Sequence, residues 1–193
     1  MFNKKIKFLF FQIRRQFLVA THTNLFIGLN SKIDLKTTIR IDSNYLAIGE
    51  NVYLRSESKG YHAGMPFPTS ILIDKDGGEV VIGDNCRING CYIHAKGSIE
   101  IGRNSVIASG TNIIDSNGHL TFSENRTVGR DLPEPIIIGE NVWIGLNSTI
   151  LKGTVIGDNS IVTAGTVVKG TYPNNSIIQG NPGKVVKKIL NSK

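Results

Sequence analysis

The chain is short of the features that announce many protein classes. Of its 193 residues only 7% are aromatic, with one tryptophan, two cysteines and four histidines. So few rings exclude a core of large interlocking side chains; they suit a narrow interior in which every position has the same limited volume. Cys86 and Cys91 lie five apart with no Cys-x-x-Cys pattern, so both read as small packing residues in a reducing cytoplasm. His22, His62, His94 and His119 are far apart, and no metal is expected. No run in the first twenty residues is apolar enough for a signal-peptide core or a membrane span, the longest uncharged stretch being Phe8 to Phe11. A formal charge of +7 favours an anionic partner. Nucleic acid is not expected, because Arg/Lys and aromatic residues are not interleaved and no helix-turn-helix or zinc spacing occurs.

What is present is a period of six. Counting from Ile138 gives Ile144, Ile150, Ile156, Val162 and Val168, with small or polar residues filling most of the places between. A helix repeats its apolar face every 3.6 residues and a strand every 2, so a strict period of six fits neither and indicates a hexapeptide β-helix. Earlier, Ile27, Ile33, Ile39 and Tyr45 keep the step, Ile48 and Leu54 resume it after a slip of three, and Ile82, Ile88, Ile101, Ile107 and Ile113 carry it on. Gly-x-Asn turns at Gly49–Asn51, Gly83–Asn85, Gly102–Asn104, Gly139–Asn141 and Gly157–Asn159 mark sharp bends where positive φ is expected. Gly139 to Gly157 is 18 residues, or three hexapeptides, so each coil has three short strands and the solid is a triangular prism.

Two segments leave the pattern. Ser56 to Ser70, with Gly60, Gly64, Pro66 and Pro68, reads as a loop from one corner. Gly102 to Gly139 is 37 residues, 19 more than a coil, so a second loop of about that length leaves after Asn117 and returns at Pro133–Ile136. A long excursion from a rigid scaffold is more often functional than decorative, and His119 stands at the root of this one. The first segment, 1–24, interleaves Phe2, Ile6, Phe8 to Phe11, Ile13, Phe17 and Leu18 with Lys4, Lys5, Lys7, Arg14 and Arg15. It fits a helix that caps the open first coil, a basic amphipathic anchor resting on anionic lipid at the inner face of the membrane, or both.

Asp115-Ser116-Asn117-Gly118-His119, a loop at about 118–135, Pro135 to Gly145 with Trp143-Ile144-Gly145, Thr163 to Val168, and Gly180-Asn181-Pro182-Gly183-Lys184 resemble the hexapeptide-repeat acyltransferases. The likeness is strongest to sugar O-acetyltransferases of the maltose/galactoside and capsule or O-antigen types. It implies an all-β, left-handed parallel β-helix over 25–186, a homotrimer with sites between subunits, acetyl-CoA as co-substrate and a saccharide acceptor. A basic tail at 187–193 follows, without a readable role.

The resemblance makes His119 the general base, which removes a hydroxyl proton as the oxygen attacks the thioester, with no acyl-enzyme. Asp115 would orient His119 or bind the acceptor, though as a turn carboxylate it could equally cap its own backbone. The Gly145 N–H is the expected oxyanion donor. Trp143 is expected beside the reacting groups, Asn89 and His94 at the acceptor, and Ala108, Ala164 and Gly165 along the pantetheine. Lys169 and Lys184 are expected at the CoA phosphates. Leu146, Gly183 and Leu120 depart from the commoner family residues, which touches the CoA and acceptor contacts. Rival readings are N-acetyl transfer to an amino sugar, drug acetylation and a non-catalytic β-helix scaffold.

Overall fold

The computed structural model describes residues 4–189 and is a three-sided parallel β-helix. One sheet stacks Leu25–Ile27, Tyr45–Ile48, Glu79–Ile82, Ser98–Ile101, Ile136–Ile138, Val155–Ile156 and Thr171–Tyr172. A second stacks Lys32–Ile33, Tyr53–Arg55, Arg87–Asn89, Val106–Ile107, Trp143–Ile144, Ile161–Val162 and Ser176–Gln179. The third stacks Thr38–Ile41, Ser70–Ile73, Tyr92–Ala95, Asn112–Ile114, Thr149–Leu151 and Val167–Val168. All these pairs are parallel, and like residues lie in register: Ile101 on Ile138, Ile107 on Ile144, Ile113 on Ile150.

The hexad aliphatics form the axis. Ile138, Ile144, Ile150, Ile156, Val162 and Val168 are each at most 1% exposed, so the period of six is the period of the core. Burying such a side chain is worth about 1.5–3 kcal/mol. Cys86 and Cys91 are buried free thiols in the same core, and burial pushes Cys86 up to about 11. One expected position is corrected. Tyr45 turns outward, while Leu46 and Ile48 point in, because this strand enters the sheet one residue out of the counted step.

The bends divide their work differently from the expectation. Positive φ falls on the asparagines, Asn51 (55°), Asn85 (59°), Asn104 (62°), Asn141 (54°) and Asn159 (57°), not on the glycines two residues before. Those glycines lie against the next coil: a Cβ on Gly83 would stand 2.6 Å from the Arg103 backbone nitrogen. Asparagine tolerates the left-handed conformation and glycine permits the close approach.

Helix α1 (Lys4–Thr21) covers the first coil, as the capping reading expected; residues 1–3, Phe2 among them, lie outside the described residues. At the other end Lys184–Lys188 turns back antiparallel on Ser176–Gln179, with Ile178 opposite Val185. The boundary expected at residue 187 therefore falls inside a strand, and 190–193 lie outside the described residues.

Candidate active site

The expected long loop leaves after Asn112–Ile114 and rejoins at Ile136–Ile138. Its root is held by a buried carboxylate. Asp131, 5% exposed, accepts the backbone N–H of Asn117 at 2.8 Å and of Gly118 at 3.0 Å, the two residues before His119. Gly118 sits at φ +79°, which a side chain would strain, so the chain turns sharply here and presents His119 outward. Lys152 binds the same carboxylate at 3.0 Å and reaches Glu134 at 3.0 Å, and the Lys96 ammonium donates to the Asp131 carbonyl at 2.8 Å. Burial disfavours the ionised form of Asp131, but the Asn117 and Gly118 N–H groups and Lys152 outweigh it and hold its carboxyl below the usual carboxylate range.

Asp115 serves the scaffold. Its side chain is fully buried, with one oxygen accepting Lys96 N–H at 2.8 Å and the other Gly97 N–H at 2.7 Å. Burial raises its pKa against these two donors. It makes no hydrogen bond to His119, and its carboxylate caps the neighbouring coil rather than its own turn, so neither expected role is seen: the burial that lets Asp115 hold that coil also removes it from the surface.

His119 opens onto a cavity of about 610 Å³ on the third-sheet face, shared with His94, Arg40, Asp42, Asp74, Lys96, Ser116 and Arg130. Asp74 ties loop to prism, taking Arg130 at 2.8 Å, and lies 3.5 Å from His94 Nε2. That nitrogen has no hydrogen-bond partner among the described residues. Burial works against ionised Asp74, yet the Lys75 N–H, Arg130 and His94 together lower its pKa. The wall is thus polar, with charges of both signs, which suits a ligand carrying several hydroxyls.

A second cavity, of about 710 Å³, lies on the second-sheet face under the loop between Tyr53–Arg55 and Ser70–Ile73. Trp143, Asn89, Ala108, Gly145 and Ala164 line it with Tyr53, Arg55, Tyr61, His62, Arg87 and Leu146. Trp143 faces outward, 55% exposed, while its neighbour Ile144 points into the axis. The loop is rooted much as the first is: Asp34 accepts the N–H groups of Ser56 and Glu57 at 3.0 Å each and the Tyr53 hydroxyl at 3.2 Å. Burial first, then the Asp34 charge, pushes that phenol up to about 12.

The structure corrects the expected oxyanion donor. The Gly145 N–H donates to Val162 carbonyl at 2.8 Å, and a Cβ there would stand 2.6 Å from the Ala164 nitrogen, so this residue is committed to coil packing. The N–H groups of the next residue, Leu146, and of Ala164 donate no backbone hydrogen bond among the described residues, and both residues line the cavity. Asn89 spends its amide on the Ile107 carbonyl at 2.9 Å and sits apart from His94, so the two do not share an acceptor pocket. Gly165, Lys169 and Lys184 are exposed and line neither cavity. Sequence reasoning passed over Asp131, Lys152, Asp74 and Arg130, whose partners lie in other coils or across the loop.

Comparison with known proteins accords with this architecture. The family model described as the hexapeptide repeat of succinyl-transferase matches residues 79–114 and 135–169. Those two stretches of the chain thus match the hexapeptide repeat, and its sequence relatives carry acetyltransferase names. It is 36% identical over 122 residues to an Escherichia coli K12 protein named as a lipopolysaccharide biosynthesis O-acetyl transferase, WbbJ, covering 58% of this chain and 61% of that one. A Saccharomyces cerevisiae protein named as an acetyltransferase, YJL218W, is 40% identical over 114 residues, covering 58% of each. The chain thus spans about three-fifths of the length of these relatives. Among solved structures, the Bacillus cereus N-acyltransferase AntD, bound to dTDP and coenzyme A, shares the fold with a TM-score of 0.72 at 21% identity, covering 92% of this chain and 90% of that one. A maltose O-acetyltransferase of Clostridium difficile 630 gives 0.57 at 26% identity, covering 92% and 75%.

Proposed function

We propose that the protein is an acetyl-CoA-dependent O-acetyltransferase that acts on a hydroxyl of a surface polysaccharide or its precursor, with His119 as general base. The observation that carries this reading is the buried Asp131 clamp, which fixes the two residues before His119 and aims an exposed imidazole into a polar cavity. The names of the relatives, O-acetyl transfer in lipopolysaccharide biosynthesis and maltose O-acetylation, support the reaction class.

In this mechanism His119 takes the hydroxyl proton as the sugar oxygen attacks the thioester carbon. The Leu146 N–H meets the oxygen that becomes negative; the carbon–sulfur bond then breaks, and the proton passes to the departing CoA thiolate. The acyl-CoA would lie along the second-sheet cavity, past Trp143, Leu146 and Ala164. His119 belongs to the other face and no described residue lines both cavities, and this supports the proposal of a homotrimer in which one chain's second-sheet face meets a neighbour's third-sheet face.

The test is release of free thiol from acetyl-CoA against a panel of neutral sugars, acidic sugars and amino sugars, together with the mass in solution. Turnover with a hydroxyl acceptor by a species of three chain masses, lost about 10²-fold or more in His119→Ala, is expected. Turnover with amino sugars alone would replace O- with N-transfer. Failure to bind acetyl-CoA would overturn the enzymatic reading in favour of a scaffold.

A further inference from the structure

Helix α1 sits on the prism in an unusual way. The side it turns inward carries Arg14 and Arg15 as well as Phe11 and Leu18. Arg14 donates to the Asp34 and Leu35 carbonyls at 3.1 and 3.2 Å, and Arg15 to the Ile27 carbonyl at 3.0 Å, all in the first coil, which has no earlier coil to pair with. The side it turns outward carries Ile6, Leu9, Phe10, Ile13 and Phe17, spaced i, i+3, i+4, i+7 and i+11 as one helical stripe. These five are between 43% and 65% exposed. An ordinary surface helix hides such a stripe; this one displays it, and Phe26, Leu29 and Leu35 of the coil beneath are exposed as well.

Charge singles out the occupant. The first 33 residues contain Lys4, Lys5, Lys7, Arg14, Arg15 and Lys32 and no acidic residue. With Arg14 and Arg15 committed to the first coil, the charge left for a partner is that of Lys4, Lys5 and Lys7 at the start of the helix, which a second copy does not complement. A bilayer bearing anionic headgroups instead offers an apolar layer to the stripe and opposite charge to the lysine-rich start of the helix sequence. No described helix is long and apolar enough to cross a membrane, so the contact is with the surface.

We infer that the outward stripe of α1 is a docking surface for an anionic lipid bilayer, with the inward side of the same helix capping the prism. Capping and anchoring are then two sides of one element. The inference stands apart from the proposed reaction, since it concerns the opposite use of the N-terminal coil and no residue of either cavity.

Co-sedimentation of the full chain with vesicles tests it, using phosphatidylcholine alone and phosphatidylcholine mixed with phosphatidylglycerol, at low and high salt. Pelleting with the anionic vesicles that weakens with salt is expected. The double variant Leu9→Glu with Phe17→Glu is expected to lose it by about tenfold or more with an unchanged thermal melt, since both residues are exposed. Should that variant unfold, Lys4→Gln with Lys5→Gln removes charge alone and is expected to weaken anionic binding several-fold. Wild-type protein that pellets with neither vesicle, or binding that both variants leave intact, would overturn the inference. A glutamate variant that instead changes the oligomeric mass would reassign the stripe to a protein interface and overturn it equally.

Discussion

The two cavities of this prism are rooted alike and lined differently. Each lies beside a loop whose entry is clamped by a carboxylate accepting consecutive backbone N–H groups, Asp34 for one and Asp131 for the other. Yet the second-sheet cavity is walled by Trp143, Tyr53, Tyr61, Val106 and Ile161, with the Leu146 and Ala164 N–H groups unpaired among the described residues, whereas the third-sheet cavity gathers His119, His94 and five charged side chains. An apolar trough with free amides suits an extended thioester arm; a charged, histidine-bearing hollow suits a hydroxylated acceptor and the removal of its proton. One coil geometry supplies both, because outward positions on each face are free of the core's demands.

The sharpest way to break this comparison is to disable each cavity in turn. His119→Ala is expected to cut turnover about 10²-fold or more while leaving acetyl-CoA binding unchanged by calorimetry. Asp131→Asn leaves the imidazole in place but weakens its mount, so turnover is expected to fall about tenfold with little change in acetyl-CoA KM. Unfolding stability should drop by about 2 kcal/mol, as the Asn117 and Gly118 N–H groups lose a charged acceptor while Lys152 keeps Glu134. Trp143→Ala, on the other face, is expected to do the reverse, raising acetyl-CoA KM roughly 3- to 10-fold with kcat largely kept. A substitution on one face that moved both parameters equally would show that the cavities are not separate in function.

Acid gives the smallest and most diagnostic effect. The folded-state pKa of Asp131 is lowered, so its stabilising contribution is fully present above the ordinary carboxylate value of about 4 and is lost as pH falls through the lower folded value. The difference in melting temperature between wild type and Asp131→Asn is therefore expected to be constant near neutrality and to close below about pH 4. A difference that persisted undiminished at the acid end would mean that the Asp131 charge is not what holds the loop.

Much of this protein was legible in its residues. A hexad of aliphatics can be satisfied only by a chain that turns three times per 18 residues, because only then does every sixth side chain reach one axis; the prism, the coil size and both excursions follow from that spacing. His119 was visible for the same reason, standing where the count breaks. Asn51 and its counterparts were read as bends, although their division of labour with the glycines depends on the approach of the next coil, which spacing does not report.

Tertiary structure decided the rest. Asp115 beside His119 in sequence is the natural partner on paper, but strand direction buries it on the Lys96 and Gly97 amides, while Asp131, twelve residues past His119, returns to hold the loop. Gly145 and Leu146 differ by one place in the chain, and only the hydrogen bonding between coils tells which amide is spent. The sequence by itself determined the period, because burial of a repeating side chain is a local constraint satisfied coil by coil. Which polar groups meet, which amides stay free and which side of α1 faces out were set only when distant segments came together, since each depends on partners 12 to 56 residues away.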